Sequence, residues 1–162
     1  MEHLWSPWRI GYIRSAGDAS SDDDQGCVFC LVPEREPDRV LARGETSYVV
    51  LNRYPYNPGH ILVIPYRHVG DLEDLSREED DELHELISRS VRALREDSQP
   101  HGFNIGMNLG VGAGAGIPSH VHWHVVPRWN GDTNFMSVVG QTRVLPELLA
   151  DTSRRLAPRF AS

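Results

Sequence analysis

No stretch of this chain approaches the ~20 consecutive apolar residues that a membrane-spanning helix requires, so no crossing segment and no membrane partner are expected. Basic charge is also scarce. Lys and Arg number 16 against 23 Asp and Glu, a formal net charge of −7. A broad nucleic-acid footprint needs a basic surface, so nucleic acid is not an expected partner. A local basic pocket for a small phosphate-bearing molecule stays compatible with that balance. The first residues, Met1-Glu-His-Leu-Trp-Ser-Pro-Trp-Arg9, hold no apolar centre of a secretory signal, and the cytoplasm is the expected compartment. Cysteine occurs only twice, as Cys27 and Cys30. In a reducing compartment such a Cys-x-x-Cys pair reads as a metal or redox motif before it reads as a disulfide. Stability must then come from an ordinary core, and 162 residues of which 40% are hydrophobic suffice for one domain without covalent staples.

What is present divides into an unusual beginning and a regular remainder. Leu4 to Tyr12 is aromatic and apolar, and reads as an arm that packs onto the domain or onto a partner subunit. Ser15 to Gly26 is small and acidic and buries nothing, so it reads as a flexible loop. Residues 1–26 are therefore taken as arm and loop, and 27–162 as a single domain. Val40 to Arg43 and Ser47 to Leu51 read as strands around a turn at Gly44. Pro55-Tyr-Asn-Pro-Gly59 is dense turn chemistry, and a short apolar strand over 60–65 follows it. Ser76-Arg-Glu-Glu79 is a capping box. It opens a helix whose Leu83, Leu86, Ile87, Val91 and Leu94 share one face, closed by Pro100 and Gly102. Residues 103–109 and 119–127 alternate as strands, and 144–159 suits a last helix. Antiparallel strands with one long inserted helix and a C-terminal helix make an α+β fold.

The sharpest chemical signal is His120-Val-His-Trp-His124. In a strand, residues i, i+2 and i+4 share a face, so the three imidazoles are expected to point one way and Val121, Trp123 and Val125 into the core. At ~3.3 Å per residue the outer two stand about 13 Å apart, whereas metal–nitrogen bonds are only ~2 Å. A straight strand therefore suits a row of histidines with divided labour better than three ligands on one ion. Cys27-Val-Phe-Cys30 supplies half of a tetrahedral zinc site; a redox pair and two buried thiols without metal are the other readings. Gly110 to Gly116 is a glycine-rich loop that lets backbone N–H groups approach an anion, or a plain hairpin connection. Arg128, just past the histidines, suits either phosphate or a rim salt bridge.

His120-Val-His-Trp-His-Val-Val126 resembles the signature of the histidine-triad (HIT) family, His-φ-His-φ-His-φ-φ with φ apolar. Leu51-Asn-Arg-Tyr-Pro-Tyr-Asn-Pro-Gly-His-Ile-Leu-Val-Ile-Pro65 is similar to that family's strand–turn–strand, and the cysteine pair resembles its zinc-bearing bacterial branch. The resemblance runs from about Cys27 to Trp129. It implies a HIT-like fold, a homodimer, and a nucleotide as substrate. His122 would attack the α-phosphate to form a nucleotidyl-histidine intermediate. His124 would bond the phosphate and stabilise developing charge. Asn108 with the backbone of Gly114, Ala115 and Gly116 would cradle the phosphates, and Asn52 would contact the ribose. A structural zinc would be held by Cys27, Cys30, His68 and His120.

The segment Asn130 to Met136 is similar to that of bacterial members related to diadenosine-polyphosphate phosphorylases. One departure stands out: many family hydrolases carry glutamine four residues before the triad, where this chain has Gly116. The expected activity is cleavage of dinucleoside polyphosphates with phosphate or water as acceptor. The rivals are a nucleoside phosphoramidase or other nucleotidyl hydrolase, a non-catalytic nucleotide-binding adaptor, and a hydrolase with an open catalytic zinc on His120 and His122.

Overall fold

The computed structural model describes residues 26–133 and 147–161. The arm and nearly all of the acidic loop expected over 1–26 lie outside the described residues, as do 134–146. Helix α1 (Val28–Arg35) leads into strands β1 (Val40–Arg43), β2 (Ser47–Leu51) and β3 (Ile61–Pro65). The long helix α2 (Arg77–Ser98) follows, then β4 (Gly102–Gly106), β5 (Trp123–Arg128) and α3 (Leu149–Leu156), which runs into a 3-10 turn over Ala157–Phe160. The strands form one five-stranded antiparallel sheet in the order β1-β2-β3-β5-β4. This is the α+β architecture expected. No described helix is long and apolar enough to cross a membrane.

Every residue of β2 and β3 is buried. An unbroken apolar run, rather than alternation, is what a strand covered on both faces requires. On one face α2 lays Leu83, Leu86, Ile87 and Leu94 against Val49, Leu51, Ile61, Val63 and Val125, and Leu156 and Phe160 complete that layer. On the other face Tyr48, Val50, Leu62 and Ile64 pack under Val32, with Phe29 and Tyr66 at the margin. The capping box is formed: Ser76 accepts from the Glu79 N–H, and Glu79 accepts from the Ser76 N–H and from Arg67. One turn further on, the Glu82 carboxylate accepts from the N–H groups of Glu45 and Thr46 and from the Thr46 hydroxyl, tying the β1–β2 turn to the helix. A Cβ at Gly44 would run into that carboxylate, so any larger residue there would have to displace it.

Four expectations shift. The pattern around Cys27 gave no helix, yet α1 begins directly after it, with Pro33 inside. Proline cannot donate to the carbonyl four residues back, which is that of Phe29. The Tyr48 hydroxyl donates to that carbonyl instead, at 2.7 Å, so the defect is satisfied by the sheet and the helix is pinned to it. The strand expected over 119–127 begins only at Trp123. Before that point the Val121 N–H donates to the Val69 carbonyl at 2.7 Å, outside the ladder. The strand expected over 103–109 spans Gly102–Gly106, and of the helix expected over 144–159 the described part is Leu149–Leu156 plus its 3-10 turn.

Candidate functional site

The late start of β5 divides the three histidines. His120 sits in a bend ahead of the strand, His122 lies between that bend and β5, and only His124 lies in the ladder, opposite Gly106 on one side and Leu62 on the other. Each ring then meets different partners.

His120 is fully buried. Its Nε2–H donates to the Pro65 carbonyl at 2.9 Å, which turns the Nδ1 lone pair toward the cysteines. Nδ1 lies 3.3 Å from Cys27 Sγ and 3.6 Å from Cys30 Sγ, and Cys30 Sγ lies 3.4 Å from His68 Nδ1. The sulfurs, which are not joined in a disulfide, converge because Cys27 is the N-cap of α1 and Cys30 stands in its first turn. All four ligand atoms fall within 4.8 Å of one another. A tetrahedron with arms of 2.0–2.3 Å has edges of about 3.3–3.8 Å, so the three printed separations are those of a tetrahedral Cys2His2 site. The hydrogen bond on the far nitrogen of His120 is the usual orienting contact of a ligating imidazole. The structure thus brings together Cys27, Cys30, His68 and His120, and among the described residues no such cluster includes His122.

His122 is nearly buried. Its Nδ1–H donates to the carbonyl of His120 at 2.9 Å. The proton is therefore on Nδ1 and the lone pair on Nε2. Burial holds its pKa below the ordinary value against the opposing pull of that carbonyl, so the ring is neutral at pH 7 with the Nε2 lone pair available. Phe29 of α1 packs on both rings, edge-on to His120 with centroids 5.7 Å apart and tilted on His122 at 4.8 Å.

His124 takes the opposite tautomer, and a residue that sequence reasoning passed over as strand filler sets it. His60 is fully buried. The backbone N–H of Tyr56, which can only donate, points at His60 Nδ1 from 3.0 Å. His60 therefore carries its proton on Nε2 and donates to His124 Nδ1 at 2.9 Å. That leaves His124 with its proton on Nε2, buried and without a hydrogen-bond partner among the described residues. Burial, then the neighbouring His124, push His60 down to about 3; burial, then His122, push His124 down to about 4. Both rings are neutral, and His124 offers an N–H. The sequence signal for His60 was the Pro-Tyr-Asn-Pro-Gly-His context, a histidine where a buried strand wants an apolar residue.

His124 borders a cleft of about 340 Å³ together with Tyr56, Met107, Asn108, Val126 and Arg128. Asn108 is thus beside the triad. Asn52 does not line this cleft: its Oδ1 accepts from the Tyr54 N–H and its Nδ2 lies 3.3 Å from His60 Nδ1, so it organises the turn. The glycine loop also differs from the expected cradle. Gly110 and Gly114 take positive φ values of 72° and 85°, and the loop folds on itself: Gly114 N–H donates to Val111 O and Ala115 N–H to Gly110 O. Two of the three expected backbone donors are committed there, which leaves the N–H of Gly116.

The family model for the HIT domain matches residues 34–131, more than half of the chain, and the chain belongs to the histidine-triad (HIT) family. It is 44% identical over 166 residues to the AP-4-A phosphorylase of Mycobacterium tuberculosis, an alignment covering 99% of this chain and 85% of the relative. The adenosine 5'-monophosphoramidase of Schizosaccharomyces pombe is 30% identical over 105 residues, 64% of this chain and 75% of that protein. Among solved structures, a Zn-bound histidine triad family protein from Mycobacterium smegmatis superposes with a TM-score of 0.71 and 33% identity, over 86% of this chain and 96% of that one.

A buried neutral pair has a pH signature. The folded pKa values of His60 and His124 lie below the ordinary 6.5, so below pH 6.5 the unfolded chain takes up protons that the folded chain refuses. Stability from this source is complete above pH 6.5 and falls as pH drops toward 4. We expect the denaturation midpoint in urea to decline over that window in the wild type, and to decline less steeply in His60→Gln, which keeps the cysteine–histidine cluster. Parallel slopes in the two proteins would remove the buried pair as the cause.

Proposed function

We propose that this protein cleaves dinucleoside polyphosphates such as diadenosine tetraphosphate at the α-phosphate, through a nucleotidyl intermediate on His122. One observation carries this reading: adjacent rings of the same row are held in opposite tautomers, His122 with a lone pair and His124 with an N–H. His122 Nε2 attacks the α-phosphorus. As the bridging P–O bond breaks, the leaving oxygen keeps the bonding pair and departs as a polyphosphate anion, stabilised by a hydrogen bond from His124 Nε2–H. The acceptor then attacks the same phosphorus, breaks the P–N bond and returns the electron pair to His122; when water attacks, its proton passes to solvent. Preorganised donors of this kind typically contribute ~10²–10³ in rate, and the covalent step splits one hard displacement in two. Asn108 and the Gly116 N–H are suited to hold the α-phosphate oxygens. Asn52 enters through the turn it organises rather than as a direct ribose ligand. The name of the Mycobacterium tuberculosis relative agrees with this substrate class.

Cys27, Cys30, His68 and His120 are suited to hold one zinc ion, as the donor set and its spacing indicate, and the Mycobacterium smegmatis neighbour is Zn-bound. With four protein ligands the ion has no open position, so its part is structural. We place the chain in the cytoplasm as a homodimer. The outer edge of β4 supports this, since it ends the sheet and exposes Ile105, and an uncovered edge is a template for pairing with a second copy.

Freshly purified, reduced protein is expected to contain about one zinc per chain, and His68→Ala to lower both zinc content and Tm; metal analysis finding no zinc in the wild type would exclude the site. Replacing His122 with Ala is expected to reduce turnover of diadenosine tetraphosphate by several orders of magnitude with the fold intact. A loss under tenfold assigns the nucleophile elsewhere. The acceptor is read from products: inorganic phosphate gives ADP and ATP, water gives AMP and ATP. Gly116 supplies no side-chain amide and leaves room for a tetrahedral anion, so millimolar phosphate is expected to convert the AMP product to ADP. An AMP yield indifferent to phosphate makes the protein a hydrolase.

A further inference from the structure

The cleft does not end at His124. His124, Val126 and Arg128 alternate onto one face of β5, and β4 sets Gly106 opposite His124 and Asn104 opposite Val126. Gly106 leaves the floor open, with no heavy atom within 4 Å of where a Cβ would stand. Tyr56 makes a wall, its ring within 14° of parallel to the His124 imidazole at 5.8 Å. Arg128 closes the far end. Its Nη1 donates to Asn104 Oδ1 at 2.6 Å, and its Nε and Nη2 grip the Asp132 carboxylate at 2.6 and 2.8 Å. Because Asn104 sits beside Val126, the guanidinium comes back to a level about 7 Å, one two-residue step, along the strand from His124.

The fork is held rigidly and is not fully occupied. Asp132 also accepts from Asn57 Nδ2 and from the Trp129 N–H, so its negative charge is shared among several donors. Three of the five guanidinium N–H groups have partners among the described residues; two remain. A mere rim salt bridge has no need of an open glycine floor leading from its guanidinium to a catalytic imidazole.

The chemistry says what belongs there. A group expelled by His122 departs from the side of phosphorus opposite the nucleophile, where the His124 N–H can donate a hydrogen bond to it. The acceptor must later enter along the same line, because the P–N bond it breaks is the one formed first. One anion subsite therefore serves both steps. We infer, resting on the proposed nucleotidyl-transfer reading, that the cleft from His124 to Arg128 binds the phosphate chain of the departing nucleotide and then the acceptor anion. Arg128 is the residue that selects for their charge.

The test compares two adenylyl substrates in wild type and Arg128→Gln. Diadenosine tetraphosphate leaves as a polyphosphate, whereas adenosine 5'-phosphoramidate leaves as ammonia and reaches no further than His124. The ratio of kcat/KM for the first over the second is expected to fall at least tenfold in Arg128→Gln, as loss of charge-assisted hydrogen bonds implies, and to fall less in Arg128→Lys, which keeps the charge. A general folding defect lowers both rates and spares the ratio, so a smaller change overturns the inference. Calorimetry with inorganic tripolyphosphate gives a second readout that needs no turnover: binding to wild type is expected to weaken at least tenfold in Arg128→Gln, and equal binding overturns the subsite. Wild-type protein that cleaves neither substrate overturns the parent reading instead, and tripolyphosphate binding then still decides the subsite on its own.

Discussion

His120 donates through Nε2 to the Pro65 carbonyl, turns Nδ1 to two sulfurs, and offers its own carbonyl to the ring of His122. Three directions in space are thereby fixed around one buried residue. If the ring rotated, the four-ligand cluster would open; if the backbone moved, His122 would lose the acceptor that keeps its proton on Nδ1. The departure of this segment from the β-ladder makes both possible, because a regular strand would commit the His120 carbonyl to a neighbouring strand. Helix α1 closes the arrangement from above. It brings both cysteines and presses Phe29 on two of the three histidines, and it is itself pinned by Tyr48 through the carbonyl that Pro33 leaves unpaired.

The second constraint runs from the opposite side of the sheet edge. Tyr56 N–H, His60 and His124 form a line in which each donor leaves only one choice for the next. Two imidazoles of the same composition, five ångströms apart, come to present a lone pair and an N–H solely through what stands behind them. Burial contributes the remaining condition by keeping the rings uncharged near neutrality. A charged His60 would donate at both nitrogens and clash with the Tyr56 amide.

Much of this was legible in the residues. Ser76 and Glu79 announced the long helix, and the apolar runs at Ser47 to Leu51 and Ile61 to Pro65 announced the central strands, because local chemistry and burial there agree. The triad was legible as a divided row from reach alone. What escaped was whatever depended on a distant partner. Helix α1 contains a proline and few strong helix formers, and the Tyr48 hydroxyl that rescues it lies outside any local window. Asn52 and Asn108 looked alike as polar residues near strands, and only the course of the turn separates the one that braces His60 from the one that borders the cleft. The glycine loop looked like a cradle, and its internal hydrogen bonds appear only once the chain has folded back from Gly114 to Val111.

The donor that starts the line of tautomers is a main-chain amide. Nineteen of the twenty amino acids would supply it at position 56, and proline alone would not. Side-chain replacement there leaves the proton on His124 where it is, so the polarity of that ring is written into the path of the chain rather than into a residue type. Substitution can alter what the Tyr56 ring does in the cleft and still leave that N–H intact. Two functions thus sit on one residue and are inherited separately.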